Sequence, residues 1–242
     1  WGIGLEDITI SGPGLIYGKG LTREESRLPG VGNKAISLKL CKNVTLKDFS
    51  LLHCGHFGLL ATGVDNLSIL NVKVDTNRDG FDIDCCKNVR ISHCTVNAPW
   101  DDAIVLKASY GLGYFKDTEN VTISDCFVSG YDRGSVLDCT WQRDEPQAPD
   151  HGFVTGRIKL GTESSGDFKN IAITNCIFER CRRSCPGNGR RGKTGRYRHQ
   201  QHHDARYCQR PHLPAVRSPD AQPARNTRGH NETHPHQPRQ CI

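Results

Sequence analysis

The heptapeptide Asn66-Leu-Ser-Ile-Leu-Asn-Val72 decides the fold, because its apolar residues alternate with polar ones and the same template returns along the chain. Alternation with a period of two is typical of a β-strand that buries one face. Its recurrence predicts a repeat protein in which each copy is one structural unit. The other full copies are residues 43–49, 88–94, 120–126 and 170–176, and Asp7 begins one more.

The distances between the copies indicate how the strands are arranged. The asparagines that open the copies at Asn43, Asn66 and Asn88 lie 23 and 22 residues apart, and longer gaps precede Asn120 and Asn170. Such spacing fits one three-stranded coil per repeat, with loops in the longer gaps. We therefore expect an all-β parallel β-helix, whose opening asparagines form tight corners in left-handed backbone.

The last position of the template predicts an internal column of side chains. Three of its members are cysteines, out of 12 in the chain. We interpret them as small buried hydrophobes rather than disulfide partners or zinc ligands. The column consists of Phe49, Val72, Cys94, Cys126 and Cys176.

Composition divides the chain into two parts. Residues 1–182 hold 20 lysines and arginines against 23 acids, whereas residues 183–242 hold 12 against 3 and seven of the 11 histidines. We expect a β-helical catalytic domain over 1–183, incomplete at both ends, and a basic, Pro/Arg/His-rich, disordered tail over 184–242. Moving the frame of translation by one base over residues 186–204 permits a sequence containing Leu-Glu-Asp-Ile-Ala-Ile-Ser, close to residues 5–11, so we interpret the tail as out of frame.

One carboxylate lies about one repeat before a pair of carboxylates. Asp79 precedes the pair Asp101 and Asp102 by about one coil, with a strand pattern between them. Stacked coils would place all three on one face, at a spacing of roughly 4.8 Å between strands. Two or three carboxylates around one bond are the equipment for glycoside hydrolysis, where one acid protonates the leaving oxygen and another activates water.

Two cations follow at Arg157 and Lys159, on either side of Ile158. In a strand this alternation directs both cations to one side and Ile158 to the core. Cations beside an acid cluster suit a substrate that is itself a carboxylate, such as a polymer of an acidic sugar.

Taken together, Asn77-Arg-Asp-Gly80, Asp101-Asp102 and Gly156-Arg-Ile-Lys159 resemble the polygalacturonases and related pectin hydrolases of glycoside hydrolase family 28, in their bacterial and plant-type branch. The resemblance covers about residues 1–182. It implies a right-handed parallel β-helix of the pectin-lyase-like kind and hydrolysis of α-1,4 galacturonosidic bonds with inversion.

The resemblance also implies roles for individual residues. Asp79 and Asp102 would act as bases on water and Asp101 as the acid, with Arg157 and Lys159 binding substrate. Asn77 completes the substrate-binding set. An inverting mechanism leads us to expect about 6.5–9.5 Å between the carboxyl groups of acid and base.

Two departures from the family pattern stand out. Arg78 replaces the usual threonine of the first motif, and we expect it to point away from Asp79. The family's Gly-His-Gly, whose histidine is thought to support the acid or bind sugar, has no match; the nearest segment is residues 129–134. Nearby His53, His56, Asp82, Asp84 and Glu163 are interpreted as surface or packing residues.

The expected chemistry requires no metal and no organic cofactor. The expected partner is a pectic polysaccharide or oligogalacturonide, bound by a monomer that is secreted or periplasmic, without nucleic acid or membrane. Three alternatives stay open: a non-catalytic carbohydrate-binding β-helix or inactive fragment, a calcium-dependent polyuronate lyase, and nucleic-acid binding through the basic tail.

Overall fold

The computed structural model describes residues 1–19, 21, 33–144 and 157–181, together with the backbone of 198–200. These residues belong to one compact unit, Trp1–Pro211. The proposed out-of-frame tail lies outside the described residues, apart from the strand at 198–200. No helix with the length and apolar character needed to cross a membrane is found in the described part.

The described residues form nineteen short strands and contain no α-helix. The strands are β1 Gly2–Ile3, β2 Glu6–Ser11, β3 Leu15–Tyr17, β4 Lys34–Lys39, β5 Lys42–Lys47, β6 Ser50–Leu52, β7 Phe57–Thr62, β8 Asp65–Leu70, β9 Lys73–Asp75, β10 Asp79–Asp84, β11 Lys87–Ser92, β12 Thr95–Asn97, β13 Ile104–Ala108, β14 Thr118–Ser124, β15 Phe127–Ser129, β16 Ile158–Ser164, β17 Phe168–Thr174, β18 Ile177–Phe178 and β19 Arg198–Gln200.

The strands form three parallel sheets, and each full coil contributes one strand to each sheet. Sheet A runs β1-β4-β7-β10-β13-β16, sheet B runs β2-β5-β8-β11-β14-β17-β19, and sheet C runs β3-β6-β9-β12-β15-β18. Every pairing is between strands one coil apart, because a solenoid contacts only its neighbouring turns. The predicted fold, a right-handed parallel β-helix, is confirmed.

The interior consists of columns of like side chains, as the template predicted. The expected column is internal: Phe49, Val72, Cys94 and Cys126 are at most 5% exposed, and Cys176 packs against them. The described cysteines are free thiols. A second column in sheet B pairs, in register, Val44, Leu67, Val89, Val121 and Ile171.

The opening asparagines form a ladder along one corner of the helix. Each adopts left-handed backbone, with φ between 52° and 58°. Asn66 donates its side-chain amide to Asn43 at 2.9 Å, and Asn88 donates to Asn66 at 3.0 Å. The ladder continues through Asn120 and Asn170. The repeated asparagine therefore satisfies the polar groups of successive tight corners, as expected.

Asp75, at the end of β9, organises the loop that follows β15. Its fully buried carboxylate accepts hydrogen bonds from the amide of Asn97 at 2.8 Å and from the main-chain N–H groups of Gly134, Val136 and Leu137 at 2.8–2.9 Å. A buried carboxylate is stable only when its lone pairs are satisfied in this way. Asp75 thus holds the loop against the coils that carry the acid motifs.

Replacing Asp75 by asparagine should lower the free energy of unfolding by about 2–3 kcal/mol, because the charge that four N–H groups share is lost. Denaturant unfolding followed by circular dichroism measures the change. Asp48→Asn is the matched control, since exposed Asp48 accepts one ladder bond from Asn71 and its loss should cost less than about 0.5 kcal/mol. Equal effects of the two substitutions would contradict the anchoring role.

Candidate active site

The three acids lie together because of the pairing of β10 with β13. Asp79 is the first residue of β10, and Asp101 and Asp102 immediately precede β13, whose Ile104 pairs with Phe81. The carboxylate of Asp79 accepts the main-chain N–H of Asp102 at 3.1 Å. One coil of sequence separation has thus become direct contact between neighbouring strands.

Gly80 permits this close approach. Its main-chain N–H donates to the carbonyl of Asp102 at 3.0 Å. A Cβ atom at this position would lie 2.2 Å from Val96 and 2.5 Å from the carbonyl oxygen of Ala103. The glycine of the first motif is therefore required by space, and its effect is to let the acid-bearing segments touch.

Asp79, Asp101 and Asp102 each present one oxygen so that the three oxygens lie within 4.8 Å of one another. Asp79 and Asp102 are buried and Asp101 is half-buried. The predicted convergence of the three acids is what the structure contains. Their nearest oxygens are closer than the expected separation of about 6.5–9.5 Å between carboxyl groups.

Burial and like charge raise the proton affinity of the cluster. The pKa of Asp79 is raised well above its usual range, first by burial and then by Asp101, Asp102 and Asp82, while Lys107 opposes the shift. The pKa of Asp102 is also raised by burial, against the opposing effect of Lys159. Both acids therefore hold a proton more readily than an exposed aspartate does, although the resemblance makes both of them bases.

Lys159 lies at the site as expected. Its ammonium group is 3.1 Å from Oδ2 of Asp102, and its side chain is 34% exposed. It therefore stabilises the charged form of Asp102 and remains accessible from the outer face of sheet A. Asn77 is half-buried next to Asp79, and its side-chain oxygen accepts the N–H of Arg78 at 3.1 Å.

Arg157 requires a correction. It was expected to face the same side as Lys159 with its guanidinium directed at substrate, but it precedes β16 with φ 65° and is 1% exposed. Its guanidinium donates to the carbonyl oxygens of Ala98, Asp101 at 2.8 Å and Arg180 at 2.9 Å. The left-handed backbone breaks the alternation on which the expectation depended.

Gly130 leaves room for the side chain of Arg157, because a Cβ atom at position 130 would lie 2.0 Å from the guanidinium. The guanidinium therefore lies between the main chain before the acid pair and the loop after β15. Because the guanidinium of Arg157 donates to main-chain carbonyl oxygens, it holds the acid-bearing segment in place. It does not present its pair of N–H donors to a substrate carboxylate.

Sequence reasoning missed Lys107 and the role of Asp82. The ammonium of Lys107 lies 2.7 Å from Asp82, 3.3 Å from Glu163 and 3.9 Å from Asp79. Burial raises the pKa of Asp82 to about 6, with Lys107 opposing. The sequence carried a signal for Asp82 alone, since Asp82 and Asp84 alternate with Ile83, which the structure buries.

Arg78 was expected to point away from Asp79, and the structure places its guanidinium beside Asp101. It is 3% exposed, and its Nη1 lies 3.6 Å from Oδ2 of Asp101. Its guanidinium also lies 6.0 Å from the ring centre of Trp100, which Arg133 approaches at 5.2 Å. Arg133 belongs to residues 129–134, the segment nearest to a Gly-His-Gly in this sequence.

The acid spacing would admit a cation, but positive charge is already supplied by the chain. Lys159 and Lys107 lie within 3.9 Å of Asp102 and Asp79, respectively. Two ammonium groups at this range favour ionised carboxylates without a metal. The residues present therefore suit proton transfer.

A parallel β-helix with three carboxylates gathered at one sheet has the acid groups that hydrolysis of a polysaccharide can use. The chain belongs to glycosyl hydrolases family 28, whose profile matches residues 3–130. A curated polygalacturonase from Juniperus ashei is 25% identical over 176 residues, covering 66% of this chain and 29% of that relative. The chain thus spans less than a third of the relative's length. No solved structure gave a significant match.

The raised pKa of Asp79 has a consequence for stability. A carboxyl group with a folded pKa above its unfolded value contributes stability at low pH, and this contribution is lost as pH rises through the folded pKa. Asp79→Asn should therefore stabilise the protein at neutral pH, and the gain should shrink below about pH 4, where both states are protonated. Thermal unfolding from pH 3 to 8 measures it.

Asp48→Asn serves again as the control, because this exposed acid lies outside the cluster. A pH-independent effect of Asp79→Asn would contradict the burial of an ionisable group as the cause.

Proposed function

We propose that this chain hydrolyses α-1,4 galacturonosidic bonds in pectin or polygalacturonate by an inverting acid/base mechanism. The observation that carries the proposal is the convergence of three carboxylates within 4.8 Å on one sheet. Family membership supports a glycoside hydrolase. The specific bond and the stereochemistry belong to the proposal.

In the proposed mechanism Asp101 is the acid, because its side chain is 21% exposed and can reach a glycosidic oxygen. It donates its proton to the leaving oxygen as the bond from C1 to that oxygen breaks. Asp79 and Asp102 lie deeper, at 6% and 2% exposure. They take a proton from the water molecule whose oxygen forms the new bond to C1 from the opposite face.

A water molecule can lie between the two bases, Asp79 and Asp102, although the acid is closer to them than the separation of about 6.5–9.5 Å that is usual for inversion. A water oxygen about 2.8 Å from each of two carboxylate oxygens fits between them at the observed separation. Asp79 has to be ionised to serve as a base, and its raised pKa delays ionisation. Activity should therefore rise with pH over the range in which Asp79 ionises.

The cations support an acidic sugar as substrate. Lys159 is accessible beside Asp102, and a galacturonate carboxylate would find an ammonium group there. Asn77 offers a half-buried amide beside Asp79. We further propose that the protein acts as a secreted or periplasmic monomer, since its polymeric substrate is extracellular.

The deciding experiment measures reducing ends released from polygalacturonate, with the anomer of the first product assigned by proton NMR. We expect reducing ends without calcium, no products that absorb in the near ultraviolet, and inverted configuration. Asp101→Asn should lower kcat at least about 100-fold while oligosaccharide binding persists. Binding without any release would favour a non-catalytic module, and calcium-dependent unsaturated products would indicate a lyase.

Arg157→Lys separates positioning from substrate binding. Lysine keeps the charge but cannot span several carbonyl groups, so the acid segment should shift and kcat should fall about 10- to 100-fold. KM should change equally for polygalacturonate and for a neutral, methyl-esterified pectin. A rise in KM confined to the acidic polymer would instead assign Arg157 to a substrate carboxylate, as the family resemblance implied.

A further inference from the structure

Lys107, on β13 of sheet A, pairs with three carboxylates. Its ammonium contacts Asp82 and Asp79 of β10 on one side and Glu163 of β16 on the other. The two β10 acids are fixed, since their side chains are 1% and 8% exposed. Lys107 itself is 17% exposed, so one side of its ammonium group faces outward.

Glu163 differs from the other two partners. Its side chain is 59% exposed and lies 3.3 Å from Lys107. The register between β13 and β16 shifts between Leu106 and Ala108, so Glu163 lies where regular pairing is interrupted. Glu163 can leave Lys107 at little cost, because an ion pair whose carboxylate is exposed to solvent contributes little to stability.

The charge of the cluster adds a reason for exchange. Five acids and three cations are joined by ion pairs here, and the buried guanidinium of Arg157 adds a fourth positive charge near Asp102, a formal balance of −1 when all are ionised. A polyanionic substrate is repelled by such a cluster. Departure of Glu163 removes one negative charge and frees one donor of the Lys107 ammonium. The acids are Asp79, Asp82, Asp101, Asp102 and Glu163, and the cations are Arg78, Lys107 and Lys159.

We propose that Lys107 is an additional carboxylate-binding site of the cleft, that Glu163 is its resting occupant, and that an acidic sugar of the substrate takes the place of Glu163. This inference rests on the proposed function, since it assumes an acidic oligosaccharide on sheet A. Lys107 and Lys159 then hold different carboxylates of one chain. Glu163 sets the preference between charged and esterified substrate.

The test measures binding of trigalacturonate by calorimetry, in an Asp101→Asn background that prevents turnover. Adding Glu163→Gln removes the competitor and should tighten binding about two- to fivefold. Binding of the fully methyl-esterified trisaccharide should not change. Glu119→Gln is the matched control, because Glu119 forms a comparable pair with Lys87 at 2.8 Å on sheet B.

A second substitution tests the link between the two residues. With Lys107→Met in place, adding Glu163→Gln should give no further gain, since the competed ammonium is absent. Should Lys107→Met fail to fold, Glu163→Asp takes its place: a side chain one methylene shorter reaches Lys107 poorly, and an intermediate gain is expected.

Unchanged or weaker trigalacturonate binding by Glu163→Gln overturns the inference, as does an equal gain with the esterified ligand. If the Asp101→Asn protein binds neither trisaccharide and the unmodified protein releases no reducing ends, both the proposed function and this inference fail. If the unmodified protein cleaves polygalacturonate but Glu163→Gln does not change trigalacturonate binding, this inference fails and the proposed function stands.

Discussion

In-register stacking of parallel coils is the constraint on which the whole structure depends. A residue at one position of the template must lie beside its counterpart one coil away, because each strand pairs only with strands of the adjacent turns. In sheet B this rule produces the Asn66 ladder and the apolar columns. At the margin of sheet A the same rule places Asp79 beside Asp102. There the stacked side chains carry like charges, whereas in sheet B the stacked side chains stabilise the fold.

That juxtaposition costs stability, and the surrounding residues offset only part of the cost. Lys159 and Lys107 neutralise some of the charge, yet the pKa values of Asp79 and Asp102 remain raised. A cluster that retains a proton is what acid/base chemistry needs. The coils on either side supply the rigidity, since Gly80 and the buried guanidinium of Arg157 fix the acid-bearing main chain.

The repeat could be predicted from sequence because it depends on local rules. Alternation of apolar and polar residues predicted the strands, and Asn66 with its counterparts predicted the corners. The repeat spacing predicted that Asp79 lies beside the acid pair. The direction of Arg157 could not be predicted, because its left-handed backbone departs from the strand alternation on which the prediction rested. Lys107 was missed for another reason. Its partners lie on two different strands, and the pairing becomes visible only when β10 and β16 flank β13.

Arg78 and the segment without a Gly-His-Gly both approach the ring of Trp100. In the family pattern a histidine after the acid pair is thought to support the acid. Here the neighbour of Asp101 is Arg78, from the coil before it, at 3.6 Å. Trp100 lies between Arg78 and Arg133, so the segment that lacks the histidine still contacts the acid turn through an aromatic ring. Support for Asp101 therefore comes from the preceding coil, and the following loop packs against that support.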